Sequence, residues 1–175
     1  TIGLALALGV SATALSVNTV SAETLKWAGR ADIFSLAPNS IPSTSNLAFL
    51  NHIYEGLVRY DKTFGIEPAL ATEWELIDGK AWRFKLREGV KFHDGETMDA
   101  AAVVYTITRN LTLKESRRKS ELASIDKVEA TGPLQVTFTL KKPDASLVAQ
   151  LSDRAGMIVS PKAAEAAGAA FGANP

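Results

Sequence analysis

The clearest periodicity along the chain has a period of two. In residues 72–90, TEWELIDGKAWRFKLREGV, Trp74 and Leu76 alternate with Glu73 and Glu75, and Trp82, Phe84 and Leu86 alternate with Arg83, Lys85 and Arg87. Successive strand side chains point to opposite faces, so this pattern predicts a hairpin with one apolar and one charged face. Asp78-Gly79 supplies the residues that a tight turn between the strands needs. Residues 125–143, IDKVEATGPLQVTFTLKKP, repeat the grammar: Leu134, Val136, Phe138 and Leu140 alternate with Gln135, Thr137 and Thr139 after a turn at Gly132-Pro133, and Pro143 ends the strand. A shorter strand is expected at residues 24–27, TLKW.

Helical spacing appears where this alternation stops. Leu47, Leu50, Ile53, Tyr54 and Leu57 recur at three and four residues, with Ser45 as the expected cap and Gly56 near the end. Asp99 is placed to cap a second helix over residues 100–110, with Met98 and Val103 as a hydrophobic staple. That helix should turn Val103, Val104 and Ile107 toward a core and Thr106 and Thr108 outward. A short helix is expected around residues 147–151, and another opened by Ser160 with Pro161 at its first position and closed at Gly168. Pro38 and Pro42 keep residues 31–45, ADIFSLAPNSIPSTS, out of helix and central strand, which leaves an extended loop. Residues 112–125 mix signs evenly and read as a solvated loop or short helix.

The N-terminus carries a different pattern. No charge precedes Glu23, an apolar run extends from Ile2 to Val10 and weakly to Leu15, and Val20-Ser21-Ala22 presents small residues at the positions a signal peptidase reads. Residues 1–22 are therefore expected to be a secretory signal entered partway, since no basic n-region precedes the run. A membrane anchor is the alternative, against which Ser11, Thr13, Ser16, Asn18, Thr19 and Ser21 make the second half too polar to span.

Composition narrows the chemistry. The 175 residues are 46% hydrophobic and 22% charged, enough for one real core with a smaller appendage. Nineteen basic and nineteen acidic residues cancel, so no overall field draws the chain to nucleic acid or to an anionic membrane. Cysteine is absent, which excludes disulfides, thiolate zinc sites, a cysteine nucleophile and a lipid-modified N-terminal Cys. No nucleophile elbow, zinc-protease helix, phosphate loop or dinucleotide fingerprint occurs. His93 and Asp94 are adjacent, an arrangement that serves a base and its orienting carboxylate poorly, so the pair reads as a turn. His52 reads as a packed or solvent-facing side chain and not as a metal ligand. Ser35, Ser40, Ser43 and Ser45 read as turn and capping groups.

The order of these pieces resembles one family. Tyr54-Glu55-Gly56-Leu57, Pro68-Ala69-Leu70-Ala71, Trp74-Glu75, Phe84 with Leu86-Arg87, Gly89-Val90-Lys91-Phe92 and His93-Asp94-Gly95 follow one another as in the extracytoplasmic solute-binding proteins of family 5, the dipeptide, oligopeptide and nickel type. SLAP upstream and IVSPKA downstream extend the likeness across the mature chain. Ala37 stands where the family often has Asp, and Ala102 where it often has an acidic capping partner.

The resemblance implies an α/β fold of the periplasmic binding protein kind, in its three-subdomain form and with only the N-terminal part present. On that basis residues 23–50 begin the first lobe, residues 51–168 form the small second subdomain with two hairpins and packed helices, and residues 169–175 start the return; the C-terminal lobe is absent. The implied role is non-catalytic: capture of a peptide or other small solute in the periplasm and delivery to an ABC permease, by a monomer without cofactor, metal or nucleic acid. The segment that lines the cleft and pairs with ligand backbone falls on residues 41–45, giving Pro42, Ser43, Thr44 and Ser45 as expected ligand-binding residues, Pro42 through its carbonyl alone. A secreted hydrolase with its catalytic residues outside this sequence, and a solute-sensing module without a transport role, are the rival readings.

Overall fold

A computed structural model describes residues 31–40 and 43–173, together with Thr24. The expected signal at residues 1–22 and the strand at residues 24–27, Thr24 aside, lie outside the described residues.

The centre of the fold is a four-stranded antiparallel sheet with strand order β3-β4-β6-β5. β3 (Ala71–Ile77) and β4 (Ala81–Leu86) form the first expected hairpin, and β5 (Ile125–Gly132) with β6 (Gln135–Leu140) the second. The alternation determines which strands meet: Phe84, Leu86, Val136, Phe138 and Leu140 are buried, and the Phe84 and Phe138 rings meet edge-on at 5.3 Å. On the opposite face Glu73 lies across from Lys85 and Glu75 from Arg83, each as an ion pair, at 3.2 and 3.0 Å. The turn between β3 and β4 has positive φ at both Asp78 and Gly79, as a type I′ hairpin turn requires. Leu76, expected on the apolar face, is 46% exposed because little packs over the outer end of this edge strand.

The helix α2 (Ala100–Thr112) packs against this sheet. Its first turn is capped as expected, the Ala102 N–H donating to Asp99 Oδ1 at 3.0 Å, and Met98 and Val103 are both buried. Thr106 corrects the expectation. It is buried because it lies three residues after Val103 and four before Asn110, on the inward stripe. Its hydroxyl donates to Ala102 O at 2.8 Å and accepts from the Val159 N–H at 3.2 Å, so the polar group is satisfied. Thr108 faces solvent as expected.

Three other elements also depart from the sequence pattern. The first helix, α1 (Thr44–Leu50), starts earlier than expected, with Ser43 and not Ser45 as cap, and ends at Asn51. Tyr54 to Leu57 leave it because Gly56 pairs with Met157 and the Leu57 N–H donates to Gly156 O, which draws the chain onto the sheet side. A small unexpected hairpin follows, β1 (Val58–Tyr60) and β2 (Ile66–Pro68). The stretch after α2 is not merely solvated either: Arg118 is 1% exposed and Ser116 is buried, because this loop packs on residues 39–40.

α3 (Leu147–Gln150) and α4 (Pro161–Ala167) complete the order, the latter capped by Ser160, whose Oγ accepts from the Ala163 N–H at 3.2 Å. Gly168 then breaks the helix at φ 52°. Beyond α4 the chain turns back, and Leu36 donates its N–H to Gly172 O at 2.7 Å, which sets the 31–40 segment beside the end of the described chain. A second small core of Ala37, Val159, Ala164 and Phe171 seals that contact.

Candidate functional site

The expected ligand segment sits where α1 begins. Ile41 and Pro42 lie outside the described residues. Ser43 has extended backbone, φ −110° and ψ 131°, but Thr44 and Ser45 already belong to the helix, so from Thr44 onward the segment is not the extended strand that the resemblance implied. The Ser43 hydroxyl accepts from the Asn46 N–H at 3.4 Å and its carbonyl from the Leu47 N–H at 2.9 Å. Three hydroxyl residues in a row could each cap a helix, which is why the sequence misplaced the start by two positions. Thr44 and Ser45 remain exposed in the first turn.

Three arginines distant in sequence converge on the same segment. Arg109, in the last turn of α2, donates to Asn39 Oδ1 at 3.1 Å and lies over the Phe171 ring at 5.2 Å. Arg118 donates to Ser40 O at 3.4 Å and is paired with Glu121, and Arg154 donates to Ser43 O at 3.5 Å beside Asp153. The last two contacts are long for hydrogen bonds, so these guanidinium groups retain donor capacity. Asn46 is buried and anchors the loop by donating from Nδ2 to Ser35 O at 2.8 Å. Among the described residues, Ser40 Oγ, Asn46 Oδ1 and Arg118 Nε are buried and find no hydrogen-bond partner. Buried polar groups of this kind normally find partners, and three of them around residues 40–46 provide unspent capacity for a polar group. Nothing local in the sequence marks Arg109, Arg118 or Arg154, since each reaches the segment only through the tertiary fold.

An open groove of about 870 Å³ adjoins this region, its lining including Leu47, His52, Tyr54, Phe92, His93 and Phe171. Burial pushes the Tyr54 phenol well above the usual tyrosine range, with Arg109 pulling the other way, so the ring presents a neutral hydroxyl. His52 and His93 are both solvent-exposed, and among the described residues no group of three His, Asp or Glu side chains is placed to hold a metal ion.

The His93–Asp94 pair is resolved by its partners. Asp94 Oδ1 accepts from the Glu96 N–H at 3.0 Å, closing the turn, and Oδ2 accepts from the Ser160 hydroxyl at 2.6 Å. Both carboxylate oxygens are thus committed away from His93. Asp94 ties the turn before α2 to the residue that caps α4.

The class follows from the fold: it is an α/β arrangement of the periplasmic binding protein kind. The chain superposes on the MoaA binding protein of A. tumefaciens R10, solved with mannopinic acid, with a TM-score of 0.75 and 32% identity over 82% of this chain and 31% of that one. NikA from Brucella suis, solved with Fe(III)-EDTA, gives 0.68 and 34% over 75% and 27%. The glutathione-binding protein GsiB of Pectobacterium atrosepticum is 31% identical over 171 residues, 97% of this chain and 33% of that protein. Residues 65–175 match the family described as bacterial extracellular solute-binding proteins, family 5 Middle, and the chain belongs to that family. It spans about a third of the length of the curated relatives it matches.

Proposed function

We propose that the protein to which this chain belongs is the extracytoplasmic substrate-binding component of an ABC importer, capturing a peptide or related small solute and passing it to a membrane permease without breaking a bond. Family membership is the observation that carries this reading, because it holds across relatives named for different solutes: glutathione, mannopinic acid and a metal chelate. Residues 23–50 then open the first lobe, residues 51–168 form the second subdomain and residues 169–175 begin the return. Delivery would proceed by closure of two lobes on the solute and docking of the closed form. The protein works in the periplasm as a monomer, without nucleic acid.

The solute contacts assigned to this chain are Pro42, Ser43, Thr44 and Ser45. The convergence of Arg109, Arg118 and Arg154 on residues 39–43, with unspent polar groups beside them, supports a polar ligand there. The test is calorimetric titration of the full-length protein with dipeptides, tripeptides, glutathione, nickel chelates, haem, opine-type sugar acids and oligosaccharides. Binding of one class is expected, and silence across the whole panel would remove the reading.

A further inference from the structure

Two Asp-Gly pairs turn this chain, Asp78-Gly79 and Asp94-Gly95, and the fold treats them differently. Such a pair is open to an intramolecular reaction in which the glycine nitrogen attacks the aspartate Cγ, because no Cβ on the glycine hinders the approach. The surroundings decide which pair reacts. At Asp94-Gly95 the atoms needed are occupied. Asp94 Oδ1 accepts from the Glu96 N–H at 3.0 Å and Oδ2 from the Ser160 hydroxyl at 2.6 Å, so the carboxyl is held away from the next nitrogen. The Gly95 N–H in turn donates to Phe92 O at 3.0 Å. The bonds to the carboxyl also keep it ionised, and a carboxylate resists attack far better than the neutral acid.

At Asp78-Gly79 none of these restraints operates. Among the described residues the Asp78 side chain makes no hydrogen bond or ion pair, and the Gly79 N–H finds no acceptor. Asp78 is exposed, and a Cβ built on Gly79 would meet nothing within 4 Å, so water reaches the pair freely. Both residues sit at positive φ, 48° and 69°, a conformation that costs an aspartate more than a glycine, so opening the turn releases strain. The tip is also lightly held. β3 is an edge strand, Leu76 near its end is 46% exposed, and the turn is closed by the Lys80 N–H on Ile77 O at 3.0 Å.

We propose that Asp78-Gly79 is a site of spontaneous backbone isomerisation, with water as the only other reactant, while the fold protects Asp94-Gly95 from the same reaction. The Gly79 nitrogen bonds to Asp78 Cγ and loses its proton, and the tetrahedral carbon expels a hydroxyl, so that one water leaves and a cyclic imide remains. Water then adds to one of the two imide carbonyls. Breaking the new N–Cγ bond restores aspartate. Breaking the original bond, from the nitrogen to the main-chain carbonyl carbon, leaves isoaspartate, in which the main chain runs through the side-chain carbon. The extra methylene lengthens a turn shaped for two residues, so the end of the β3–β4 hairpin loosens.

The test incubates the full-length protein at neutral pH in heavy-oxygen water, digests it with trypsin in ordinary water and maps the peptides. Residues 63–80 and 92–109 are tryptic peptides that carry one Asp-Gly pair each. Each passage through the imide installs a heavy oxygen, and electron-transfer fragmentation separates isoaspartate from aspartate. In the folded protein, label at Asp78 is expected to exceed label at Asp94 by at least about tenfold, since charge-assisted bonds must break before Asp94 can react. In denaturant the two sites should label comparably. Asp78→Asn keeps a turn that Asn-Gly favours and should convert faster than the parent, with loss of ammonia. Equal labelling of the two sites in the folded protein would overturn the proposal. So would a difference that persists in denaturant, which would assign it to local sequence, or an Asp78→Asn variant that stays unconverted when folded but converts in denaturant.

Discussion

At the scale of single residues, Asp94 shows how a turn carboxylate can serve two elements. The Ser160 hydroxyl, then the Glu96 N–H, hold its carboxyl below the ordinary aspartate value of 3.8. A carboxyl depressed in the folded state contributes stability that is present above its unfolded value and lost as pH falls through the folded one. Asp94→Ala should therefore lower the thermal midpoint at neutral pH, and its gap to the parent should narrow as pH falls below about 3.8. Melting curves from pH 7 down to pH 3 check the trend. His93 faces solvent beside it, and His93→Ala should leave solute affinity unchanged by calorimetry. A catalytic pair would respond in the opposite pattern, with His93 sensitive and the stability effect of Asp94 secondary.

Between elements, the contacts that matter are those that bring α2 and the 151–160 stretch together. Thr106→Val keeps the shape of the side chain and strands the Val159 N–H, so denaturant unfolding should show a loss of about 1–3 kcal/mol. Gly156→Ala meets backbone instead: an added Cβ would stand 1.9 Å from Leu151 O, and because a carbonyl cannot rotate aside, a loss of about 3 kcal/mol is expected. The two large hairpins and the start of α2 were legible in the sequence because a period of two, an Asp-Gly turn and an Asp cap each have one local solution. β1–β2 was not, since each strand is only three residues long and its turn places Phe64 in a left-handed conformation that the sequence pattern reserves for glycine or asparagine. Thr106 was misread for a related reason. Polarity alone sends a threonine outward, whereas its place between Val103 and Asn110 turns it in, and only a neighbour with an unsatisfied N–H makes that position favourable.

For the whole molecule, the candidate site depends on distance in sequence. Asn39, Ser40 and Ser43 meet Arg109, Arg118 and Arg154 only after the sheet and helices are assembled, so the resemblance could point to residues 41–45 while no local pattern pointed to the guanidinium groups around them. Ligand sites bury most of a small solute's surface, and a site walled from one side leaves much of that surface in water. Residues 23–175, once shown to unfold cooperatively, should therefore bind the solute at least about a hundredfold more weakly than the full-length protein, by the same calorimetry. Comparable affinity would mean that the recognition surface is complete within this stretch.

The backbone bond between Leu36 and Gly172 has one more consequence. It makes the entry and the exit of the intervening chain immediate neighbours, so everything between them leaves and rejoins the rest of the protein at a single point. A stretch arranged in this way can be exchanged between relatives, lengthened or replaced by a short bridge without re-threading its host. The four-stranded sheet, its covering helices and the β1–β2 hairpin can thus be inherited as one cassette.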